Sequence, residues 1–403
     1  MTQTPKNGMQ IREANARRLL EFIQTHGPLS KRELQYHTKL SWSVVSTLTT
    51  KMIENGQVVL TDKQHTTAGR KPTELDINPY DYLIIGLDIN LSGLRALLTD
   101  LKGRTIQKWE RRVTNYDGDV LINEIMNLID TVCKAYQHKH MVGIGLAVQG
   151  IVDVEKGISV HFPQIQNWSN VMLQDIIEQK YGIPTVLMHD PDCIMSAEIA
   201  HGRTNISRDK NVILVRLDAG IGVSIMLNGQ LYFGATSVAG EIAHINMDSD
   251  GAQCRCGNRG CLEEYVTGVG LIRRFEEAVA NGGETGLTLG ELEEQGYSAI
   301  IQAAQSGDRL CRQLFTQLGN YLGRGISTLI NILNPHTIVF YGELTSCKSL
   351  YYSEMMKLIN RHIYHNTTCD ILFSGMDYYA AALGAALQAA DRYINLYDYV
   401  TAK

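Results

Sequence analysis

The sequence predicts an α/β protein in which an N-terminal winged helix-turn-helix precedes an internally duplicated α/β body. Residues 1–80 show three helical segments and then two alternating segments, the order found in a winged helix-turn-helix. A strand–hairpin–helix pattern begins near Tyr82 and returns near Val212, which predicts the duplication and a cleft between the halves. We therefore place a head at 1–80, a first body subdomain at 81–190 that the C-terminal helix 376–403 rejoins, and a second body subdomain at 191–375.

Composition favours a globular protein without membrane insertion. The 403 residues are 44% hydrophobic and 20% charged, and no run of eighteen apolar residues occurs. The polar start is no signal peptide, so we expect a cytoplasmic location. Eight cysteines in so long a chain do not suggest a disulfide framework. The head holds 11 Lys and Arg against 7 Asp and Glu within a chain of net charge −5, which favours contact of the head alone with a polyanion, although chance would allow this difference.

Three helices are predicted in the head. Apolar stripes give their ranges as Ile11–Thr25, Lys31–His37 and Ser41–Asn55. Ser30 and Glu33 have the spacing of a capping box at the start of the second helix. Two short helices joined by a tight turn predict a helix-turn-helix, in which the third helix would read DNA.

The outward face of the third helix and the following hairpin are the candidate surface for a double-stranded DNA operator. Hydroxyl and basic side chains can bond to phosphates or base edges. The strands Gln57–Thr61 and Thr73–Ile77 would form a wing whose loop contacts backbone or minor groove. The candidate residues are Ser41, Trp42, Ser43, Ser46, Thr47, Thr50 and Lys51 on the helix, and Arg70 and Lys71 in the wing. The alternative is a helical protein-docking domain without nucleic-acid contact.

The body pattern consists of two similar sets of strands. The first is predicted at 83–88, 94–100, 105–113 and 142–148, with a helix over 119–139 before its last strand. The second is predicted at 212–217, 222–227 and 230–233, with Asn228-Gly229 as a hairpin turn. Helical patterns at 268–280 and 298–333 would pack on the second half, and a helix over 379–396 would return to the first.

The most specific motif is a histidine followed by three closely spaced cysteines. His244, Cys254, Cys256 and Cys261 form a Cys3His set, which suits tetrahedral zinc. Four protein ligands close the coordination sphere, so we expect a structural rather than catalytic ion. Anchoring this loop would also position the flanking carboxylates of Glu241 and Glu263. The alternative is a set of ordinary reduced cysteines in a surface loop.

These landmarks resemble the ROK family of repressors and sugar kinases over essentially the whole length. The marker is Ala239-Gly240-Glu241-Ile242-Ala243-His244 followed by Cys254-x-Cys256-Gly257-x-x-Gly260-Cys261-Leu262-Glu263. The winged helix and His189-Asp190, where the family's kinases usually carry Asn-Asp, are similar to the repressors that respond to glucose, N-acetylglucosamine or xylose. The resemblance implies an actin/hexokinase-like (ribonuclease H-like) body.

The resemblance also implies a sugar site. Asp190, Glu241, His244 and Glu263 would face the sugar, with His189 and Gln164 nearby, while His244 serves zinc through its other ring nitrogen. Carboxylates and an imidazole can exchange hydrogen bonds with a ring of hydroxyls. The alternative for Asp190 is a helix N-cap. Gln149, Gln164 and Asp192 depart from the family's usual residues, so a sugar and a sugar phosphate both stay open as ligands.

The turns that cradle ATP phosphates in the family's kinases are altered here. The first reads Asp88-Ile89-Asn90-Leu91-Ser92 and lacks both glycines of Asp-x-Gly-Gly-Thr. The second reads Asp218-Ala219-Gly220-Ile221-Gly222, which adds a carboxylate where an anion is expected. Asp190 could still act as a general base, but without a phosphate cradle the base has no electrophile. We therefore predict that the chain is no enzyme.

Together these observations predict a sugar-responsive repressor of carbohydrate genes, acting as a homodimer or tetramer whose contact surface lies in the second body subdomain. Two heads would match an inverted repeat, and sugar would favour a body geometry that misplaces them. One rival is a sugar kinase with a fused DNA-binding head. Another is a repressor titrated by a protein partner.

Overall fold

The computed structural model describes residues 8–62, 73–162, 164–207, 209–365 and 367–396. The chain forms two compact units. Unit 1 comprises Met1–Ala197 and Tyr379–Lys403, and unit 2 comprises Glu198–Tyr378. The head therefore belongs to unit 1, and the division falls after Ala197, whereas the sequence placed a boundary at residue 190.

The head has the predicted helix-turn-helix and hairpin. Its elements are α1 (Gly8–His26), α2 (Lys31–Thr38), α3 (Trp42–Glu54), β1 (Val58–Asp62) and β2 (Thr73–Ile77). The capping box is confirmed, because the Glu33 amide donates to the Ser30 hydroxyl while the Glu33 carboxylate accepts from the Ser30 amide. Lys39, with a φ of 57°, makes the left-handed C-cap that ends α2. Leu34, Val45 and Leu48 lie in the core that fixes the angle of α3.

Unit 1 also contains the first body sheet, in the order β10-β6-β3-β4-β5. Its strands are β3 (Tyr82–Asn90), β4 (Gly93–Asp100), β5 (Thr105–Arg111), β6 (His140–Val148) and β10 (Thr185–His189). A small sheet that the sequence analysis missed comprises β7 (Ile151–Asp153), β8 (Ile158–His161) and β9 (Ser169–Val171). The helices are α4 (Gly118–Ala135), α5 (Leu173–Tyr181), α6 (Asp190–His201), which crosses into unit 2, and the C-terminal α13 (Ala380–Leu396).

The helix α13 packs on this first sheet, as the sequence predicted. A side chain at Gly86 or Gly145 would overlap the carbonyl oxygens of Ala382 and Ala385, respectively. Only glycine allows the helix backbone to lie so close to the central strands. The alanines of α13 and the glycines of β3 and β6 thus form one close-packed layer.

Unit 2 repeats the strand arrangement, in the order β13-β12-β11-β14-β15. Its strands are β11 (Val212–Leu217), β12 (Ile221–Leu227), β13 (Gln230–Leu231), β14 (Thr337–Tyr341) and β15 (Asp370–Phe373). Its helices are α7 (Glu263–Val266), α8 (Gly268–Ala280), α9 (Leu289–Gln295), α10 (Tyr297–Ser306), α11 (Arg309–Leu333) and α12 (Tyr352–His362), with short 3-10 helices at Ile242–His244 and Glu343–Leu350. In both sheets a central strand has an antiparallel hairpin on one side and two parallel strands on the other, so the predicted duplication is confirmed.

Candidate functional site

The four predicted metal ligands lie together in unit 2. The ligand atoms of His244, Cys254, Cys256 and Cys261 are all within 4.8 Å of one another. The Sγ atoms of Cys256 and Cys261 are 3.6 Å apart, and Cys254 Sγ is 3.8 Å from Nδ1 of His244. Zn–S bonds of about 2.3 Å in a tetrahedron place sulfurs about 3.8 Å apart. The donor set and its spacing therefore fit a metal ion of zinc's size and softness.

Backbone bonds hold the ligands in this arrangement. Asn246 pairs with Cys261, and Gln253 pairs with Arg259, so two bridges close the base of the loop. The Cys254 amide donates to the Asn258 carbonyl over 2.8 Å, which forms the tight knuckle. The Gln253 side-chain amide donates to the Gly257 carbonyl over 2.9 Å and spans the knuckle. These bonds shape the loop and leave the ligand atoms free of them.

Two carboxylates, those of Glu263 and Glu241, lie beside the predicted metal ligands. Oε1 of Glu263 lies 3.0 Å from Cys254 Sγ and 3.9 Å from His244 Nδ1, and Glu263 is buried. Oε2 of Glu241 lies 4.0 Å from Nε2 of His244. Nδ1 of His244 therefore points to the cysteines while Nε2 points to Glu241. Burial raises the pKa of Glu241, His244 opposes that shift, and the nearby charge of Glu263 adds to it.

The other predicted sugar residues lie in unit 1. Asp190 opens α6 with 2% of its surface exposed, and its Oδ1 is 3.5 Å from Nε2 of His189. Gln164 lies between β8 and β9 of the small sheet, and its Oε1 is buried with no hydrogen-bond partner among the described residues. A buried amide oxygen without a partner costs free energy, so a ligand hydroxyl that donated to it would be stabilising. Asp192, two residues further along the same helix, is also buried.

Side chains of the chain itself bond to the amides of the first altered turn. The Leu91 amide donates to Gln149 Oε1 over 3.3 Å, and the Ser92 amide donates to Asn90 Oδ1 over 2.9 Å. Asn90 in turn donates to Asp88 Oδ2 over 2.7 Å. A phosphate cradle needs such amides to be available. Gln149 is unusual in the sequence, but its bond to Leu91 could not be predicted, because the two residues meet only in the fold.

A carboxylate occupies the second altered turn. Asp218 Oδ2 accepts from Arg216 Nε over 2.8 Å, and Oδ1 accepts from the Glu343 amide. Glu343 accepts from the Tyr297 hydroxyl over 2.5 Å and from Ser298 over 3.0 Å. Burial raises the pKa of Tyr297, and its bond to Glu343 adds to the rise. Asp218 was noted from the sequence, but Arg216 and Tyr297 were not, because no local motif marks them.

The predicted DNA-contact residues of α3 are largely on its accessible side. Ser41, Trp42, Ser43, Thr47 and Thr50 are exposed, while Ser46 and Lys51 are half-buried. Ser41 also caps α3, because its hydroxyl accepts from the Val44 amide over 3.4 Å. Lys31 of α2 lies 3.5 Å from the Thr50 hydroxyl, which brings a basic group to this face. Arg70 and Lys71 lie outside the described residues.

A winged helix-turn-helix joined to a duplicated, kinase-like body with a Cys/His loop defines a kinase-fold transcriptional regulator. The chain belongs to the ROK family, whose model matches residues 84–392. None of the helices in the described part of the chain has the length and apolarity needed to cross a membrane.

Full-length relatives are similar to the whole chain. A putative xylose repressor from Caldicellulosiruptor sp. (strain Rt8B.4) is 27% identical, and the match covers 98% of this chain and 100% of that protein. The crystal structure of a ROK family transcriptional regulator, a homologue of the E. coli MLC protein, has a TM-score of 0.84 at 26% identity and covers 97% and 100% of the two chains. A ROK glucokinase from Streptomyces griseus, in complex with glucose and AMPPNP, has a TM-score of 0.66 at 25% identity and covers 76% and 99%.

Proposed function

We infer that this protein is a sugar-responsive transcriptional repressor whose kinase-like body binds a sugar without phosphorylating it. The observation that carries the inference is the state of the two phosphate turns. The side chains of Gln149 and Asn90 accept hydrogen bonds from the amides of the first turn, and the carboxylate of Asp218 lies in the second turn. ATP would have to displace these partners and approach two carboxylates, Asp218 and Glu343, which repel its phosphates.

Features of the head support the proposal that the protein binds DNA. Its α3 carries exposed hydroxyls at positions that lie on one helical face, and the full-length relatives named as regulators cover the head as well as the body. We propose that Ser41, Trp42, Ser43, Ser46, Thr47, Thr50 and Lys51 contact an operator, and that Arg70 and Lys71 act from the wing. A homodimer or tetramer would present two heads to an inverted repeat.

The metal of the loop is proposed to be structural zinc, held by His244, Cys254, Cys256 and Cys261. When bound, zinc would supply a closed tetrahedral anchor rather than an open catalytic position. The side chains around the ligands provide the polar groups: Glu263 lies against Cys254, and His244 presents Nε2 towards Glu241. The anchored loop would hold these polar groups in place before a ligand arrives, which lowers the entropy lost on binding.

We propose that the sugar is recognised by Glu241, His244 and Glu263 in unit 2, and by Asp190, His189 and Gln164 in unit 1. The amide oxygen of Gln164, which has no hydrogen-bond partner in the described part of the chain, supports a polar ligand with a hydroxyl donor. Sugar can change operator affinity only if it binds one conformation of the protein more tightly than the other. The proposed role of these residues is therefore differential binding, with no covalent chemistry.

The test combines operator binding with a phosphoryl-transfer assay on the full chain. An operator duplex is first selected from a random DNA library, and its affinity is measured by fluorescence anisotropy with and without each sugar of a hexose and pentose panel. We expect one sugar to lower operator affinity at least tenfold, and no transfer from radiolabelled ATP to that sugar. The Glu263→Gln variant should bind the operator but lose the sugar response, whereas Glu293→Gln, on exposed α9, should keep both. Turnover of ATP, or failure to select any duplex, would refute the proposed function.

A further inference from the structure

Unit 2 contains a cavity lined by residues for which the proposed function has no role. Its volume is about 620 Å³, and residues of α7, α8, α11 and α12 line it together with the loop residue Ala252. Small-molecule sites typically have volumes of roughly 300–1,000 Å³. The cavity is therefore large enough for a metabolite, and every lining residue belongs to one compact unit.

The lining is strongly basic. It contains five cationic side chains and a single acidic one, Glu277; the cationic residues are Arg273, Arg274, Arg324, Lys357 and Arg361. Arg273 is neutralised by Glu264 at 3.0 Å and Glu277 at 2.5 Å, and Lys357 lies 3.4 Å from Glu354. The other three arginines have no carboxylate within ion-pair distance in the described ranges. An excess of positive charge thus remains in the cavity.

Arg274 is the least usual of these cations because it is buried. Only 7% of its surface is exposed, and its guanidinium donates to the carbonyls of Tyr265 and Leu314 and to Gln317 Oε1, over 2.6, 3.0 and 2.9 Å. All three acceptors are neutral. Burial lowers the pKa of Arg274 to about 10, so it stays charged at neutral pH. A buried cation held only by neutral oxygens is stabilised when an anion comes close.

Two stacked tyrosines add a recognition surface beside the cations. The rings of Tyr265 and Tyr321 are 3.9 Å apart with an interplanar angle of 20°, and the Arg324 guanidinium lies 5.9 Å from the Tyr321 ring. Asn320 and Gln317 supply further polar groups to the lining. Planar guanidinium groups bind phosphate through paired N–H donors, and the aromatic and amide groups can contact an attached organic part.

We propose that this cavity is a second ligand site, distinct from the Glu241–Glu263 group, that binds the dianion of a phosphate monoester or free phosphate. Arg324 and Arg361 are exposed and would contact the incoming anion, while Arg274 supplies fixed positive charge behind them. The site needs no metal and no covalent step.

The cavity shares a segment with the metal loop. Ala252, which lines the cavity, precedes Gln253 and Cys254. The Tyr265 hydroxyl packs against Gly251 so closely that a Cβ on Gly251 would overlap this hydroxyl. Tyr265 also lies on α7 with Glu263. A bound phosphate would therefore contact the elements that position the proposed sugar residues. Any effect on operator affinity rests on the proposed repressor function, whereas the binding step does not.

The binding step is tested with the full-length protein by isothermal titration calorimetry and ³¹P NMR at constant ionic strength. The probes are inorganic phosphate, glucose 6-phosphate, sulfate and unphosphorylated glucose. We expect phosphate or glucose 6-phosphate to bind saturably and more tightly than sulfate. Binding of inorganic phosphate but not of glucose 6-phosphate would indicate a site for the free anion. Tighter binding of glucose 6-phosphate would indicate a site for a phosphorylated metabolite. The Arg324→Ala/Arg361→Ala variant should bind the preferred probe at least tenfold more weakly.

The matched control is Arg309→Ala, which removes an exposed arginine from the start of the same helix α11, outside the cavity lining. It should bind the probe as the unsubstituted protein does. Variants of Arg274 are avoided, because removing this buried guanidinium would also remove its hydrogen bonds to Tyr265, Leu314 and Gln317. Equal affinity of the two variants, or binding no stronger than that of sulfate, would overturn the proposal. A change of oligomeric mass in the double variant with unchanged phosphate binding would also overturn it and assign the surface to a subunit contact.

Discussion

At the scale of single residues, two glycines of the metal loop have the same kind of backbone but different surroundings. Gly257 has a φ of 95° and Gly260 a φ of 63°, values that L-residues rarely adopt. A Cβ on Gly257 would meet nothing within 4 Å, whereas a Cβ on Gly260 would overlap the carbonyl oxygen of Asp248. Strain of the dihedral angles acts at both positions, but steric overlap acts only at Gly260.

We therefore predict that Gly260→Ala costs more than Gly257→Ala. The dihedral strain alone is worth roughly 1 kcal/mol, and moving the backbone of the loop at Gly260 adds at least a similar amount. Because Gly260 precedes the ligand Cys261, Gly260→Ala should also lower the metal content of the purified protein well below one ion per chain. Thermal unfolding measures the loss of stability, and elemental analysis measures the metal content. Equal stability and metal content in the two variants would show that the loop does not depend on this close contact.

The residues that the sequence identified are those whose chemistry is concentrated in one short segment. The metal ligands and Glu263 lie within His244–Glu263, so their type and spacing were enough to predict them, and the structure brings them together. By contrast, Gln149 accepts a hydrogen bond from Leu91, which is 58 positions away, and Arg274 donates one to Leu314, which is 40 positions away. No local pattern marks such pairs, because only the folded chain decides which distant backbone groups need a partner.

At the scale of elements, α3 is the part of the head whose outer face should decide DNA binding. Thr47 and Thr50 are exposed and three residues apart, so their hydroxyls project from one face. If each makes one hydrogen bond to DNA worth about 0.5–1.5 kcal/mol, Thr47→Ala/Thr50→Ala should weaken operator binding roughly tenfold. Fluorescence anisotropy on the selected duplex measures this. The control Thr25→Ala removes an exposed hydroxyl from α1, which bonds to the Glu21 carbonyl, and should leave the affinity unchanged. Equal losses would mean that α3 does not read the DNA.

Elements with a strong repeating pattern were predicted well, and short ones were not. The strands β3, β4, β6, β11 and the helix α8 match their predicted ranges closely, because long apolar runs and a 3.6-residue period are unambiguous. The sheet of β7, β8 and β9 was missed because its strands have only three or four residues. The predicted helix over 298–333 is divided into α10 and α11, since Gly307 in the left-handed region ends the first and Asp308 caps the second.

At the scale of the whole molecule, a side chain of the body contacts two elements of the head. Lys102 lies in the turn between β4 and β5, and its Nζ is 2.5 Å from Oδ1 of Asp76 in β2 and 2.7 Å from the carbonyl oxygen of Gly27 after α1. Both side chains of the ion pair are almost fully buried. One ammonium thus contacts two elements of the head, and the nearby Gln24 side chain donates a hydrogen bond to the Leu101 carbonyl over 2.8 Å.

The duplicated sheets could be predicted from repetition in the sequence. The contact of Lys102 with the head could not, because nothing in the local sequence links the two.

We predict that Lys102→Met weakens the transmission of a sugar signal more than it weakens DNA binding. Breaking an isolated buried ion pair costs about 3–5 kcal/mol, but Arg104 remains 3.1 Å from Asp76 Oδ2, so we expect a loss of about 2–3 kcal/mol. The head should still fold and bind the operator within about threefold, while the sugar-induced change in affinity shrinks. The double variant Asp76→Asn/Lys102→Met removes both buried charges, so it should recover most of the stability without recovering the response.

The control is Lys139→Met, which breaks the exposed pair with Asp81 in the same unit. Exposed pairs contribute about 0–1 kcal/mol, so this variant should unfold and respond to sugar almost as the unsubstituted protein does. Denaturant unfolding gives the stability, hydrogen exchange of the α1 and β2 amides reports whether the head loosens, and anisotropy with and without sugar gives the response. If Lys102→Met matched Lys139→Met in all three measurements, the buried pair would be a passive contact. The signal would then have to travel from body to head through other contacts of unit 1, such as the Tyr82 hydroxyl that donates to the Asn55 carbonyl over 2.5 Å.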